Sequence, residues 1–188
     1  LGLIVGVLFA APVKRKVWVA LAAVSVAAVG LIIPAIGELV GSQQTTLLHL
    51  PETLFGAEVL SIDPLSALFL LIIGLAGVAT VIYSRGYLAH YLTKKSSAHI
   101  SLHYSSLVIL VISMMMVVIS SGGFSFLFAW ELMTIASFLL ILFDAQRPEV
   151  TRAALAYLIM MHIGFIFLVA GFVGIFSATG QGTFDALA

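Results

Sequence analysis

Charged residues and cysteine are what this sequence has least of. Only 9% of its 188 residues are Asp, Glu, Lys or Arg, whereas about a quarter of the residues in a typical soluble domain are charged. Apolar residues make up 62% of the chain, and the mean hydropathy is +1.24. This composition excludes an ordinary soluble domain and predicts an integral membrane protein.

The absence of cysteine excludes a disulfide scaffold, a thiolate metal site and iron–sulfur ligation by this chain. His99 and His103, four residues apart, have no carboxylate or thiol nearby that would complete a metal site. The net charge of zero leaves no basic face for nucleic acid. We therefore expect no cofactor or metal in this chain, and any redox chemistry to reside in other subunits.

Long apolar segments predict the fold class. An all-α, polytopic transmembrane bundle is expected, with one domain covering residues 1–188. The five complete spans are predicted at residues 17–40, 64–83, 102–120, 122–144 and 152–176. Residues 1–11 are apolar but too short to span, and the chain begins without Met. They are expected to be the end of a helix cut at its start, in a chain that is part of a longer protein.

The segments between the spans carry a few local signals. Pro34 is expected to kink the first span, and Asp63 followed by Pro64 is expected to cap and open the second. Residues 120–123 (SSGG) predict a tight turn. The pattern within residues 41–61 fits either a short hairpin or an interfacial segment, and the sequence does not distinguish the two.

The charges predict an orientation. With five spans, all basic residues fall on one side of the membrane, which the positive-inside rule makes cytoplasmic. These residues are Lys14, Arg15, Lys16, Arg85, Lys94, Lys95, Arg147 and Arg152. The opposite side carries Glu52, Glu58 and Asp185 and no basic residue.

Apart from Asp144 at its end, residues 122–144 contain one ionisable residue, Glu131, and the segment is long enough for about 33 Å of helix. Glu131 is about 13 Å into that helix, near the middle of a hydrocarbon core roughly 30 Å thick. A charge at that depth costs at least about 2.5 kcal/mol, so intramembrane acids mark ion pathways by default. The alternative is a structural acid that is permanently protonated or paired for assembly.

His162 is expected to reach the same depth from the other side, about 15 Å along the last helix from Arg152. A proton relay with Glu131 and a simple interhelical hydrogen bond are both open interpretations of this histidine. Thr134 and Ser137 follow Glu131 and could hold water. The last helix also carries Gly164, Gly171 and Gly174, whose spacing would let another helix approach closely.

Four short motifs carry a family resemblance. In order, they are residues 63–69 (DPLSALF), 83–87 (YSRGY), 130–133 (WELM) and 161–164 (MHIG). Their order and spacing resemble the antiporter-like subunits shared by respiratory complex I, Mrp sodium/proton antiporters and membrane-bound group 4 hydrogenases. Within that superfamily, the WELMTIASFLLI run and the His-x-Gly of the last helix look most like hydrogenase-4 component B and formate hydrogenlyase membrane subunits.

The resemblance implies a larger fold of about fourteen helices with two inverted repeats. Residues 1–101 would be N-terminal helices and loops, residues 102–176 the start of the first repeat, and residues 177–188 a loop. It also implies that Glu131 is the family's glutamate, whose usual partner is a lysine on a helix that this chain does not contain.

Three functions remain open. The first is a non-catalytic, proton-translocating membrane subunit of a redox-driven complex, in the inner membrane of a prokaryote, with Glu131 and His162 in the ion path. Its partners would be other membrane subunits and peripheral subunits with iron–sulfur or nickel–iron centres. The second is an Mrp-type sodium/proton antiporter subunit. The third is a membrane anchor for a peripheral oxidoreductase arm that conducts no ion.

Overall fold

The computed structural model describes residues 1–41, 45–50, 58–91, 95–180 and 183–184. Within this part of the chain, five helices are long and apolar enough to cross a membrane. The expected all-α transmembrane bundle with five spans and a shorter N-terminal helix is therefore confirmed.

The described part of the chain forms six α-helices and two strands. They are α1 Gly2–Ala10, α2 Val13–Gly41, β1 Thr45–His49, β2 Val59–Ile62, α3 Pro64–Ala89, α4 Ser97–Ile119, α5 Gly123–Ile141 and α6 Pro148–Thr179. A short 3-10 turn, Leu142–Asp144, follows α5 directly. The bundle has two ends, which we call the basic end and the hairpin end. The basic end holds the starts of α2, α4 and α6, and the hairpin end holds β1, β2 and the start of α5.

Several helices extend beyond their predicted limits. α3 runs to Ala89 instead of residue 83, and α4 begins at Ser97 instead of residue 102. α6 begins at Pro148 instead of residue 152 and continues through residues 177–179, which were expected in a loop. The apolar pattern marks only the part suited to the hydrocarbon core, whereas backbone hydrogen bonds continue through the polar ends. Gly180, with φ of 70°, ends α6.

The predicted cap of α3 is confirmed. The Asp63 carboxylate accepts a hydrogen bond from the backbone N–H of Ser66 at 2.6 Å, and Pro64 occupies the first turn of the helix. This satisfies one of the N–H groups that a helix start leaves without an intrahelical partner. α2 continues as helix through Pro34.

Glycines let the first helices pack closely. A Cβ atom on Gly77 of α3 would lie 2.7 Å from Cγ1 of Val111 on α4, and one on Gly74 would lie 3.2 Å from Cβ of Ala28 on α2. Small residues at such crossings are typical of transmembrane helix packing. In the resulting core of α2, α3 and α4, α4 is the helix against which α5 packs.

The loop after α2 forms a hairpin in its described part. β1 and β2 pair antiparallel, with Thr45 opposite Ile62 and His49 opposite Val59, and the register shifts between Thr46 and Leu48. Of the two alternatives left by the sequence, the hairpin is the one found. Two of its residues also contact the turn before α5, since Leu60 bridges to Ser120 and the Ser121 N–H donates to the Val59 carbonyl at 3.2 Å.

Candidate functional site

Glu131 and His162 meet across the interface between α5 and α6. Oε1 of Glu131 lies 2.9 Å from Nε2 of His162. The sequence predicted that the two residues share one depth on consecutive antiparallel helices, and the structure shows that they also face each other. This contact is the centre of the candidate site.

The second ring nitrogen of His162 determines the chemistry of the pair. Nδ1 lies 2.9 Å from the carbonyl oxygen of Leu158, which can only accept, so Nδ1 carries a proton. A neutral imidazole then has no proton on Nε2. A hydrogen bond to Glu131 therefore requires one more proton, located either on the carboxyl group or on Nε2. In both forms the pair as a whole is uncharged.

Three buried polar atoms on the same stretch of α5 have no hydrogen-bond partner in the described part of the chain. Within the described residues, Oε2 of Glu131, Oγ1 of Thr134 and Nε1 of Trp130 are buried and have no hydrogen-bond partner. Buried polar groups in folded proteins are nearly always satisfied, often by water. Water bound to such atoms would satisfy them, and the sequence suggested this role for Thr134.

The site is open on one side. The Glu131 side chain is 26% exposed and that of His162 is 45% exposed, so Glu131 is half-buried within this chain. The reason is that α6 packs mainly along α5 and leaves most of its own surface uncovered. No described atom comes within 4 Å of a Cβ built on Gly164, Gly171 or Gly174. Two points therefore stay predictions: that Glu131 is fully buried, and that another helix packs on the face of α6 that carries these three glycines.

A second polar contact joins the same two helices nearer the basic end. The hydroxyl groups of Ser137 and Tyr157 lie 2.6 Å apart, and Ser137 Oγ is also 2.9 Å from the Thr134 carbonyl. Ser137 was singled out from the sequence, but Tyr157 was not. A lone tyrosine in an apolar helix, five residues before His162, was the available signal. We call these two contacts between α5 and α6 the polar seam.

The start of α5 is capped by a residue that the sequence did not reveal. The N-cap position is Gly122, which has no side chain to offer. Instead, the buried carboxylate of Glu58 accepts from the N–H of Phe124 at 2.8 Å and from the N–H of Ser125 at 2.9 Å. A negative charge at a helix N-terminus also opposes the positive end of the helix dipole. The hairpin thus fixes the end of the helix that carries Glu131.

An ion cluster holds the other end of α5. Nζ of Lys95 lies 3.6 Å from Oδ1 of Asp144 and donates to the Phe143 carbonyl at 2.9 Å. Arg147 pairs with the same Asp144 at 3.0 Å. Lys95 and Arg147 therefore lie together at the basic end, as the charge pattern predicted. Three residues of that pattern, Lys94, Glu52 and Asp185, lie outside the described residues.

Comparison with known families supports the resemblance seen in the sequence. A model described as "NADH-Ubiquinone oxidoreductase (complex I), chain 5 N-terminus" matches residues 59–96. A second, described as "NADH:quinone oxidoreductase/Mrp antiporter, TM", matches residues 120–188 and includes both Glu131 and His162. The expected similarity to antiporter-like membrane subunits is confirmed. Neither description specifies a hydrogenase.

Individual relatives agree with the family models. An uncharacterized protein of Mycobacterium tuberculosis is 31% identical over 129 residues, which is 68% of this chain and 19% of the relative. The chloroplastic NAD(P)H-quinone oxidoreductase subunit 5 of Poa pratensis is 33% identical over 123 residues, 64% of this chain and 16% of that protein. The same subunit of Zygnema circumcarinatum is 32% identical over 130 residues, 68% and 17% respectively. The chain thus covers less than a fifth of each of these relatives.

Proposed function

We propose that this chain, an integral membrane protein similar to antiporter-like subunits, translocates protons as part of a redox-driven complex, with Glu131 and His162 in the ion path. The single observation that carries the proposal is the 2.9 Å contact between Oε1 and Nε2. On this proposal, one transferable proton lies between two helices at the predicted middle of the membrane. Similarity to quinone oxidoreductase subunits supports the link to electron transfer.

The proton of the pair moves in response to nearby charge. A cation close to Glu131 stabilises the carboxylate, so the proton resides on Nε2 of His162. When that cation withdraws, the proton returns to the carboxyl group. The resemblance assigns the cation to a lysine on another helix of the full subunit. Because the Nδ1 hydrogen bond to Leu158 keeps the ring in one orientation, the exchange needs no rotation of the imidazole.

The rest of the complex follows from the same proposal. This chain binds no cofactor, and electrons pass through iron–sulfur or nickel–iron centres of peripheral partners. Other membrane subunits complete the assembly. The basic end faces the cytoplasm of a prokaryotic cell, in accordance with the positive-inside rule. The hydrogenase-4 or formate hydrogenlyase branch is our finer assignment, and it rests on residues 130–141 and 162–164.

A second candidate function, sodium/proton antiport, is favoured by the family description that includes Mrp antiporters for residues 120–188. It uses the same Glu131–His162 pair but needs no electron transfer. A membrane anchor without conduction is the third candidate. The three candidates differ in whether ions move and in what drives that movement, and both can be measured.

The test is to reconstitute the full-length subunit in its native complex into vesicles and to follow internal pH with a fluorescent dye. Proton movement that begins with electron transfer and proceeds without sodium would support the proposal. Proton movement that requires a sodium gradient and continues without electron transfer would favour the antiporter. Electron transfer with no ion movement would identify an anchor.

We predict that Tyr157→Phe slows proton translocation by about tenfold at unchanged assembly, because the hydroxyl contact with Ser137 extends the polar seam from Glu131 towards the basic end. The measurement is the initial rate of proton movement in vesicles, in H2O and D2O. The matched control is Tyr83→Phe, since Tyr83 is exposed on α3. An unchanged rate in Tyr157→Phe would show that this hydroxyl only joins the helices.

A further inference from the structure

A cavity of about 360 Å³ opens at the basic end, between α2, α3 and α4 and away from the Glu131 site. Its polar lining comes from Lys14 and Trp18 of α2, Arg85 of α3 and Tyr104 of α4. Its walls include the apolar side chains of Val17 and Ile100. The cavity therefore combines positive charge with an apolar surface.

Both cations of this cavity are available to a ligand. Lys14 and Arg85 are exposed, and neither forms an ion pair with a carboxylate in the described part of the chain. The Arg85 guanidinium instead lies 5.7 Å from the centre of the Trp18 ring. Two other cations of the basic end are already engaged, since buried Lys16 donates to Ser97 and Lys95 pairs with Asp144. Two free positive charges on one cavity select for an anion.

The position of the cavity identifies the kind of anion. It lies where three membrane-spanning helices end, and Trp18, 57% exposed, points outward at that level. Tryptophan is enriched at the membrane–water interface. A guanidinium and an ammonium suit phosphate oxygens, and the apolar wall suits the adjoining acyl chains. Basic pockets between transmembrane helices bind anionic lipid headgroups in this way.

We propose that this cavity binds the headgroup phosphate of an anionic phospholipid. Lys14 and Arg85 contact the phosphate, and Trp18 and Val17 contact the start of the acyl chains. The bound lipid would join the beginning of α2 to the end of α3 at a point where no described carboxylate does so. This site is independent of proton translocation.

The experiment uses the full-length subunit in detergent, titrated with phosphatidylglycerol or phosphatidylcholine and examined by native mass spectrometry. We expect a clear preference for phosphatidylglycerol. Lys14→Gln or Arg85→Gln should each weaken that lipid's binding about fivefold, and the double variant about 25-fold, with phosphatidylcholine unaffected. Arg15→Gln is the matched control, because Arg15 is exposed on the same turn but does not line the cavity.

Two results would overturn the proposal. One is a preference for phosphatidylglycerol that survives in the double variant. The other is displacement of the lipid by inorganic phosphate at equal concentration, which would identify a site for soluble anions. Arg85→Lys keeps the positive charge and controls for loss of binding that is caused by misfolding. This variant should retain most of the preference for phosphatidylglycerol. If it folds and loses that preference, the assignment is also contradicted.

Discussion

Replacing Glu131 with Gln should reduce the rate of proton translocation by about a hundredfold while electron transfer and assembly persist. A positioned acid or base typically contributes about 10²- to 10⁴-fold to a proton-transfer step. The amide of Gln can still donate to Nε2 of His162, so the 2.9 Å contact between α5 and α6 can be kept. What the amide cannot do is give up that proton. The substitution therefore keeps the contact between the two helices and removes the proton transfer.

The measurement is proton movement per electron in vesicles that contain the full-length subunit in its native complex. Glu149→Gln is the control, because Glu149 is an exposed acid in the first turn of α6. The companion variant is His162→Gln, alone and combined with Glu131→Gln. Since the two residues act as one unit, the double variant should lose no more than either single variant. An unchanged ratio of protons to electrons in Glu131→Gln would mean that this acid is structural.

Replacing Glu58 with Ala should destabilise the start of α5 by about 3 kcal/mol or more, because it removes two hydrogen bonds to a charged acceptor, each of which contributes about 1.5–3 kcal/mol. Two backbone N–H groups, those of Phe124 and Ser125, would lose their acceptor in a buried position. Glu58→Gln keeps one acceptor oxygen and should lose less. The measurement is the thermal melting of the purified full-length subunit in detergent.

Gly122 provides a stringent check of the Glu58 cap. A Cβ atom on Gly122 would lie 2.3 Å from Cδ of Glu58, so Gly122→Ala should displace the carboxylate and destabilise the subunit. Once Glu58 is Ala, that clash is gone. The combined variant should therefore cost clearly less than the sum of the two single variants. If the combined variant destabilised the subunit by the full sum of the two single variants, the proposed arrangement would be contradicted.

The sequence predicted the spans and the depth of the candidate pair because both depend on local composition. Runs of apolar residues give the number of helices, and a rise of about 1.5 Å per residue gives the level of Glu131 and His162. It could not predict that the two side chains face each other, which depends on how α6 rotates against α5. The packing of Phe172 on Gly123 is one tertiary contact that fixes this rotation.

Contacts between distant parts of the chain also could not be predicted from the sequence. Glu58 lies 66 residues before Phe124, whose N–H it accepts from, and in a loop whose pattern was ambiguous. The two glycines at the start of α5, where a capping Ser, Thr, Asp or Asn is usual, were the available signal. Tyr157 was missed for a related reason. Its role depends on Ser137, and no periodicity links the two residues.

The geometry of the Glu131–His162 contact also bears on how membrane voltage acts. Moving one charge across the whole bilayer against 100 mV requires about 2.3 kcal/mol. A proton that passes from Oε1 to Nε2 travels less than the 2.9 Å between these atoms. That distance is about a tenth of a hydrocarbon core roughly 30 Å thick, so 100 mV changes the transfer energy by no more than about 0.2 kcal/mol. Under the proposed function, neighbouring charges therefore govern where the proton lies within the pair, and the electrical potential would act on the steps that bring protons to the pair and take them away.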